Sequence, residues 1–134
     1  MKTSSAKAKA RLCQNWNHRL LHLLWPKLHE DDIVPRQMGG IGEDQVLSPA
    51  ARVLIPCSIE NKNQESTSPW AWVKQAKKNA KGWIPVVVFM RNRVKEPQAI
   101  VPAAMWFKAI SLLTAEQHEM VRNFAYEIGE KDAD

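Results

Sequence analysis

Apolar positions along the chain switch between a spacing of three to four residues and strict alternation, and each switch marks an element. Over residues 7–25 the apolar side chains Leu12, Trp16, Leu20 and Leu24 fall near one face, which predicts a helix that Pro26 ends. Residues 33–38 predict a short strand, placed at a sheet edge by Pro35. Gly39-Gly40-Ile41-Gly42 is a glycine-rich loop with Glu43-Asp44 at its exit. A brief strand follows at 45–48, and Ser48-Pro49 starts a turn or a single helical turn through Arg52 and Leu54. In 55–62, Ile55, Cys57 and Ile59 share one strand face, so Ser58, Glu60 and Lys62 emerge on the other.

Ser68 caps, and Pro69 opens, a second helix that Gly82 closes in a left-handed conformation. Residues 84–90 are a continuous apolar run rich in β-branched side chains, as in a strand buried on both faces. A last strand near 98–101 and two helices complete the chain, the second over 115–128 with Thr114 and Gln117 in capping-box positions. The predicted order α-β-β-β-α-β-β-α-α is that of a small α/β domain whose mixed sheet is flanked by helices.

With 134 residues the chain predicts one domain: a flexible tail at 1–6, a core at 7–103 and C-terminal helices at 104–134. A hydrophobic fraction of 45% is ordinary for a folded protein and argues against general disorder. The net charge of +5 favours an anionic partner such as nucleic acid. Cys13 and Cys57 lack the paired spacing of a zinc knuckle and read as buried thiols in a reducing compartment. The polar, basic start lacks a signal-peptide pattern and no apolar run reaches the ~18 residues of a membrane span, so a soluble cytoplasmic protein is expected.

The candidate chemistry centres on Asp44, Glu60 and Lys62. If the strands bearing Asp44 and Glu60 form a hairpin, both carboxylates reach one sheet edge, where two carboxylates, a backbone carbonyl and waters suit Mg²⁺. Lys62, two residues beyond Glu60, would steady a phosphate or the attacking water. The plainer alternative is a solvated Glu–Lys pair on an exposed face, with Glu43-Asp44 as a turn. Lys74, Lys77, Lys78 and Lys81 recur at i, i+3, i+4 and i+7, a like-charged stripe that fits an anionic partner or a solvated face. Arg91 and Arg93 extend the positive charge in sequence. Gln75 stands among the lysines as a supporting polar group or a surface residue. Trp70 and Trp72 cannot face the same way, and one is expected outside. His18 and His22 have a zinc-compatible spacing but no third ligand nearby, and read as packed or solvated histidines.

Gly42-Glu43-Asp44, Leu47-Ser48-Pro49-Ala50-Ala51-Arg52 and Ser58-Ile59-Glu60-Asn61-Lys62-Asn63 together resemble the PD-(D/E)XK nuclease superfamily. Within it the chain is most similar to the small Holliday-junction resolvases of archaea and bacteriophages. Gln75-Ala76 and Pro85-Val86-Val87-Val88-Phe89, followed by Arg91-Asn92-Arg93, extend the resemblance across residues 7–103. It implies a restriction-endonuclease-like core and a phage-encoded homodimer that cuts four-way DNA junctions symmetrically inside the host cell. It further implies that Asp44 and Glu60 hold Mg²⁺, with Mn²⁺ as a substitute, and that the Asn61 backbone carbonyl is a further ligand. Lys62 would position water or phosphate. Glu43, where the family pattern has proline, would be an additional ligand, and Gln75 and Ser48 would support the site. The lysine stripe, Arg52, Arg91 and Arg93 would hold the duplex. Two further departures stand out: Asn61 replaces the cysteine of related phage sequences, and Gln14 occupies the place of a helix-borne glutamate. Three rivals remain: a nicking or repair endonuclease of the same fold, a non-catalytic DNA-binding protein on a nuclease scaffold, and an interaction protein using its tryptophans.

Overall fold

One helix lies on each face of a three-stranded sheet, and the alternation of side chains in the central strand shows why. The structure, a computed structural model, describes residues 3–37, 39–91 and 94–133. Its elements are α1 (Thr3–Leu24), β1 (Ile33–Pro35), β2 (Gln45–Leu47), α2 (Pro49–Leu54), β3 (Cys57–Asn63), α3 (Pro69–Ala80), β4 (Ile84–Arg91), β5 (Val94–Ile100), α4 (Ala103–Ser111) and α5 (Ala115–Ala133). A 3₁₀ turn at Glu30–Asp32 precedes β1. β4 is central, parallel to β3 and antiparallel to β5, with an irregularity between Phe89 and Arg91. Val86, Val88 and Met90 join Cys13, Leu21 and Ile59 under α1. Val87 and Phe89 meet Trp72 and Ala76 of α3 on the opposite face. β4 is therefore apolar from Ile84 to Met90 because helices cover both of its faces.

Several expectations are corrected. α1 starts at Thr3, so residues 3–6 are helical rather than a tail. The buried face of α1 is not the stripe of Leu12, Trp16, Leu20 and Leu24: Leu12 and Leu24 are exposed, while Cys13, Gln14, Asn17 and Leu21 point inward. Two of these are polar because α1 covers backbone groups that need partners as well as apolar side chains. β2 and β3 do not form a hairpin, since the two-stranded sheet is β1–β2 and β3 pairs with β4. The helical turn at 49–54 intervenes as α2, with the Ser48 side chain accepting from the Ala51 N–H. Ser68 precedes α3 but makes no capping bond with its side chain. The left-handed residue that ends α3 is Lys81, with Gly82 also at positive φ.

Other features agree with expectation. Thr114 N–H donates to Gln117 Oε1 at 2.9 Å and Gln117 N–H to Thr114 Oγ1 at 3.1 Å, a reciprocal capping box at the start of α5. Trp72 is buried while Trp70 is 85% exposed. Both His18 and His22 direct Nε2 at the Ile33 carbonyl and stack edge to face, as packed histidines. Cys13 and Cys57 are free thiols, the first buried and the second half-buried. No helix is long and apolar enough to cross a membrane among the described residues.

Candidate functional site

The site forms where the chain from the glycine loop meets the C-terminal half of β3. Asp44 N–H donates to the Ile59 carbonyl at 2.8 Å, and Asn61 N–H donates to Asp44 Oδ2 at 2.7 Å. These two bonds fasten Asp44 to the free edge of β3, so β2 needs no ladder with β3 to deliver its carboxylate. N–H and C=O of one strand residue point to the same edge, so the Asn61 carbonyl also faces the Asp44 side.

Glu60 points to the α3 face and is 1% exposed. Asn79 Nδ2 donates to Glu60 Oε1 at 2.6 Å, and Lys62 Nζ donates to Gln75 Oε1 at 2.7 Å. Gln75 and Asn79 are one turn apart on α3, beside its buried Trp72–Ala76–Ala80 stripe, so a single helix edge holds both Glu60 and Lys62 of β3. This excludes the solvated Glu–Lys face: Glu60 lies under a helix and Lys62 is half-buried. Burial, first, and then the adjacent Asp44 carboxylate push the Glu60 carboxyl up to about 7, against the opposing pull of Asn79 and Lys62.

A cleft of about 190 Å³ opens over these groups, lined by Gln14, Arg36, Asp44, Glu60, Lys62 and Gln75. Gln14 is buried, and its Nε2 donates at 2.8 Å to both the Arg36 and the Asp44 carbonyls. Behind it, Gln45 Nε2 donates to the Gln14 carbonyl and to Asn61 Oδ1, and Asn61 Nδ2 donates to Asn17 Oδ1. The Asn61 side chain thus faces inward, as its alternation requires, and locks β3 to α1. No protein family model, curated protein or solved structure matches the chain.

The remaining predicted positions divide clearly. Glu43 is buried away from the cleft in an ion pair with Arg52, whose Nη1 also donates to the Cys57 carbonyl. The Arg52 guanidinium lies 5.2 Å from the Trp83 ring centre. Glu43 therefore faces Arg52 rather than the cleft, and Arg52, half-buried, has both Nη groups engaged, one on the Glu43 carboxylate and one on the Cys57 carbonyl. Ser48 hydroxyl donates to Asp32 Oδ1 at 2.6 Å and caps α2, outside the cleft. Lys74, Lys77, Lys78 and Lys81 are all exposed, as is Arg91. Arg93 lies outside the described residues.

Sequence reasoning missed Asn79, Asn17, Gln45 and Arg36. The first left a trace: Gln75 and Asn79 at i and i+4 beside an apolar stripe are a polar edge one turn long. Gln14 and Asn17, at i and i+3, left the same trace on α1. Among the described residues no group of three or more His, Cys, Asp and Glu side chains gathers at a metal site. Asp44 and Glu60 supply two carboxylates, and the other oxygens near them are amides and carbonyls.

Proposed function

We propose that this protein is a Mg²⁺-dependent DNA endonuclease with a PD-(D/E)XK core, acting as a homodimer on four-way junctions. The observation that carries the reading is the convergence of Asp44 and Glu60 in one cleft with Lys62 at its side. The residues fit a hard divalent cation. A buried Glu60 held beside Asp44 is an unfavourable pair of like charges that such an ion relieves, and the donors are all oxygen. Asp44, Glu60 and the Asn61 carbonyl would hold Mg²⁺, with Gln14 Oε1 as a neutral fourth donor. The bound ion supplies charge stabilisation to the phosphate and acidifies water.

The chain's own groups do the rest. Asn79 orients Glu60, and Gln14 fixes the backbone of Asp44. Gln75 restrains the Lys62 ammonium, which is left with N–H donors for a phosphate oxygen or the attacking water. The exposed lysines of α3 favour the duplex backbone through its charge, and shape rather than base sequence selects the substrate. Pairing of two copies is supported by α4, an apolar helix with no buried residue, and by Met120 and Val121 exposed on α5.

The test is cleavage of a labelled four-way junction beside linear and nicked duplex, with Mg²⁺ and with EDTA, for the wild type and for Asp44→Asn. Paired metal-dependent cuts on the junction, abolished by the substitution, are expected. Equal cutting of all three substrates makes the protein a general or repair endonuclease, and undiminished cutting by Asp44→Asn refutes the metal site. A second reading, a non-catalytic DNA-binding protein, is favoured by Gln14, whose uncharged amide serves the backbone. Tight junction binding without cutting in Mg²⁺ or Mn²⁺ would establish it.

A further inference from the structure

Among the described residues, Arg36 is paired with no carboxylate. It sits directly before the glycine loop and lines the same cleft as Asp44, Glu60 and Lys62. Its side chain is held at three points. Nε donates to the Glu43 carbonyl at 2.5 Å. A Cβ on Gly40 would come within 2.9 Å of Arg36 Cγ and Cδ. A Cβ on Gly42, itself at φ +114°, would come within 3.0 Å of Nη2. The glycine loop therefore closes over the guanidinium in a way that only residues without a side chain allow. The backbone of Arg36 is fixed as well, its N–H donating to the Asp44 carbonyl at 2.7 Å and its carbonyl accepting from Gln14.

What remains is a half-buried guanidinium whose Nη groups donate to no protein acceptor and whose charge is paired with no carboxylate among the described residues. Ordering a long flexible side chain costs rotamer entropy, and a purely structural role would use its remaining donors. Arg52, with both Nη groups engaged on Glu43 and Cys57, is the contrast within the same chain. A planar pair of free N–H donors matches two oxygens of a phosphate.

We propose that Arg36 is a phosphate-binding residue, gripping a backbone phosphate of the substrate strand beside the carboxylate pair while the Gly39–Gly42 loop closes on its aliphatic stem. This rests on the nuclease reading above. It gives the cleft two cations, Arg36 and Lys62, on residues from different segments, so the strand is fixed at two points across the carboxylates. It also gives the glycine loop a role: its lack of side chains is what permits the guanidinium to be covered without being consumed.

The experiment measures affinity of a fluorescent four-way junction in EDTA, where no cutting occurs, as a function of salt. Wild type, Arg36→Ala, Arg36→Lys and Gly40→Ala are compared, each first shown to be folded by its melting curve. Arg36→Ala is expected to lower the slope of log K against log salt by about 0.9, the value of one phosphate contact. Arg36→Lys should restore the slope, yet leave junction cleavage in Mg²⁺ about tenfold slower, because an ammonium lacks the planar fork. Gly40→Ala, which keeps the charge but displaces the side chain, should weaken binding at low salt. In the wild type, the Arg36 Nε–H resonance should move on titration with tens of millimolar inorganic phosphate, a readout independent of DNA.

A wild type that binds and cuts the junction with an Arg36→Ala slope equal to its own overturns the role of Arg36 alone. A wild type that neither binds nor cuts DNA overturns the nuclease reading and this inference with it. Should Arg36→Ala fail to fold, Arg36→Lys and the phosphate titration decide: no resonance shift together with wild-type cleavage by the lysine variant refutes the proposal.

Discussion

Replacing Glu60 by glutamine should make the metal-free protein more stable at pH 8, although it alters the residue proposed to bind metal. The Glu60 carboxyl ionises in the folded protein near 7 instead of near 4.5, chiefly because it is buried and secondly because Asp44 is beside it. Between those two values the folded chain holds a proton that the unfolded chain has released. Stability must therefore fall as pH rises from about 4.5 to about 7 and level off above it. The whole shift corresponds to about 3 kcal/mol, reduced to about 2 kcal/mol by solvent screening in an open cleft. Glutamine removes the titration and fits the local bonding: its carbonyl accepts from Asn79 where Glu60 Oε1 now does, and its amide can donate to Asp44.

Thermal melts of both proteins in EDTA, at half-unit steps from pH 5 to 8.5, measure this. The expected result is a wild-type melting temperature that declines across the window and a Glu60→Gln curve without that decline, about 6–10 °C higher at pH 8. Parallel curves, or a variant less stable than wild type at pH 8, would refute the argument that Glu60 is held in an unfavourable ionised state. Adding Mg²⁺ at pH 8 should raise the wild-type melting temperature and leave the variant's nearly unchanged, because only the wild type gains a counter-charge for the pair.

Three further expectations concern other parts of the molecule. Arg52→Met should cost about 3–5 kcal/mol by stranding the Glu43 carboxylate in the interior, and adding Glu43→Gln should recover part of it; urea melts of the single and double variants measure both. The Lys74→Ala/Lys78→Ala variant should keep its melting temperature while its junction affinity loses salt dependence by a slope of about 2; an unchanged slope would mean that this stripe is a solvated face. The Cys13 thiol, pushed up to about 12 mainly by burial and bonded to the Val88 carbonyl, should resist a disulfide reagent at pH 8 until the chain unfolds, and early labelling would show that α1 opens locally.

The strands and helices were legible where pattern and packing agree. The β4 run reads as doubly buried because it is, and Pro69 at the first position of α3 and the Thr114/Gln117 box mark helix starts through local chemistry that tertiary contacts leave intact. The face of α1 was misread because counting apolar residues presumes an apolar lining, whereas Gln14 and Asn17 are buried to serve carbonyls and Asn61. Asp44, Glu60 and Lys62 stood out as chemistry, but the route by which they meet did not. It runs through two bonds on the free edge of β3, which no strand periodicity encodes. Arg52 and Arg36 are the sharpest lesson, since one arginine spends its donors indoors and the other keeps them, and a sequence writes both the same way.

The neck of the glycine loop has a consequence for how such a protein can change. Arg36 and Asp44 are tied to one another across the base of the loop, and the Gln14 amide staples both carbonyls to α1. Glu43 is anchored by Arg52, and Gly40 and Gly42 lie against Arg36. Ile41, however, is exposed and a Cβ on Gly39 would meet nothing, so residues can be added at that tip without transmitting a shift to the carboxylate at the root. Closing a longer ring costs little extra, about 0.6 kcal/mol for each doubling of its length. The tip is thus a place where new surface can be tried while Asp44 and its partners on β3 stay in register.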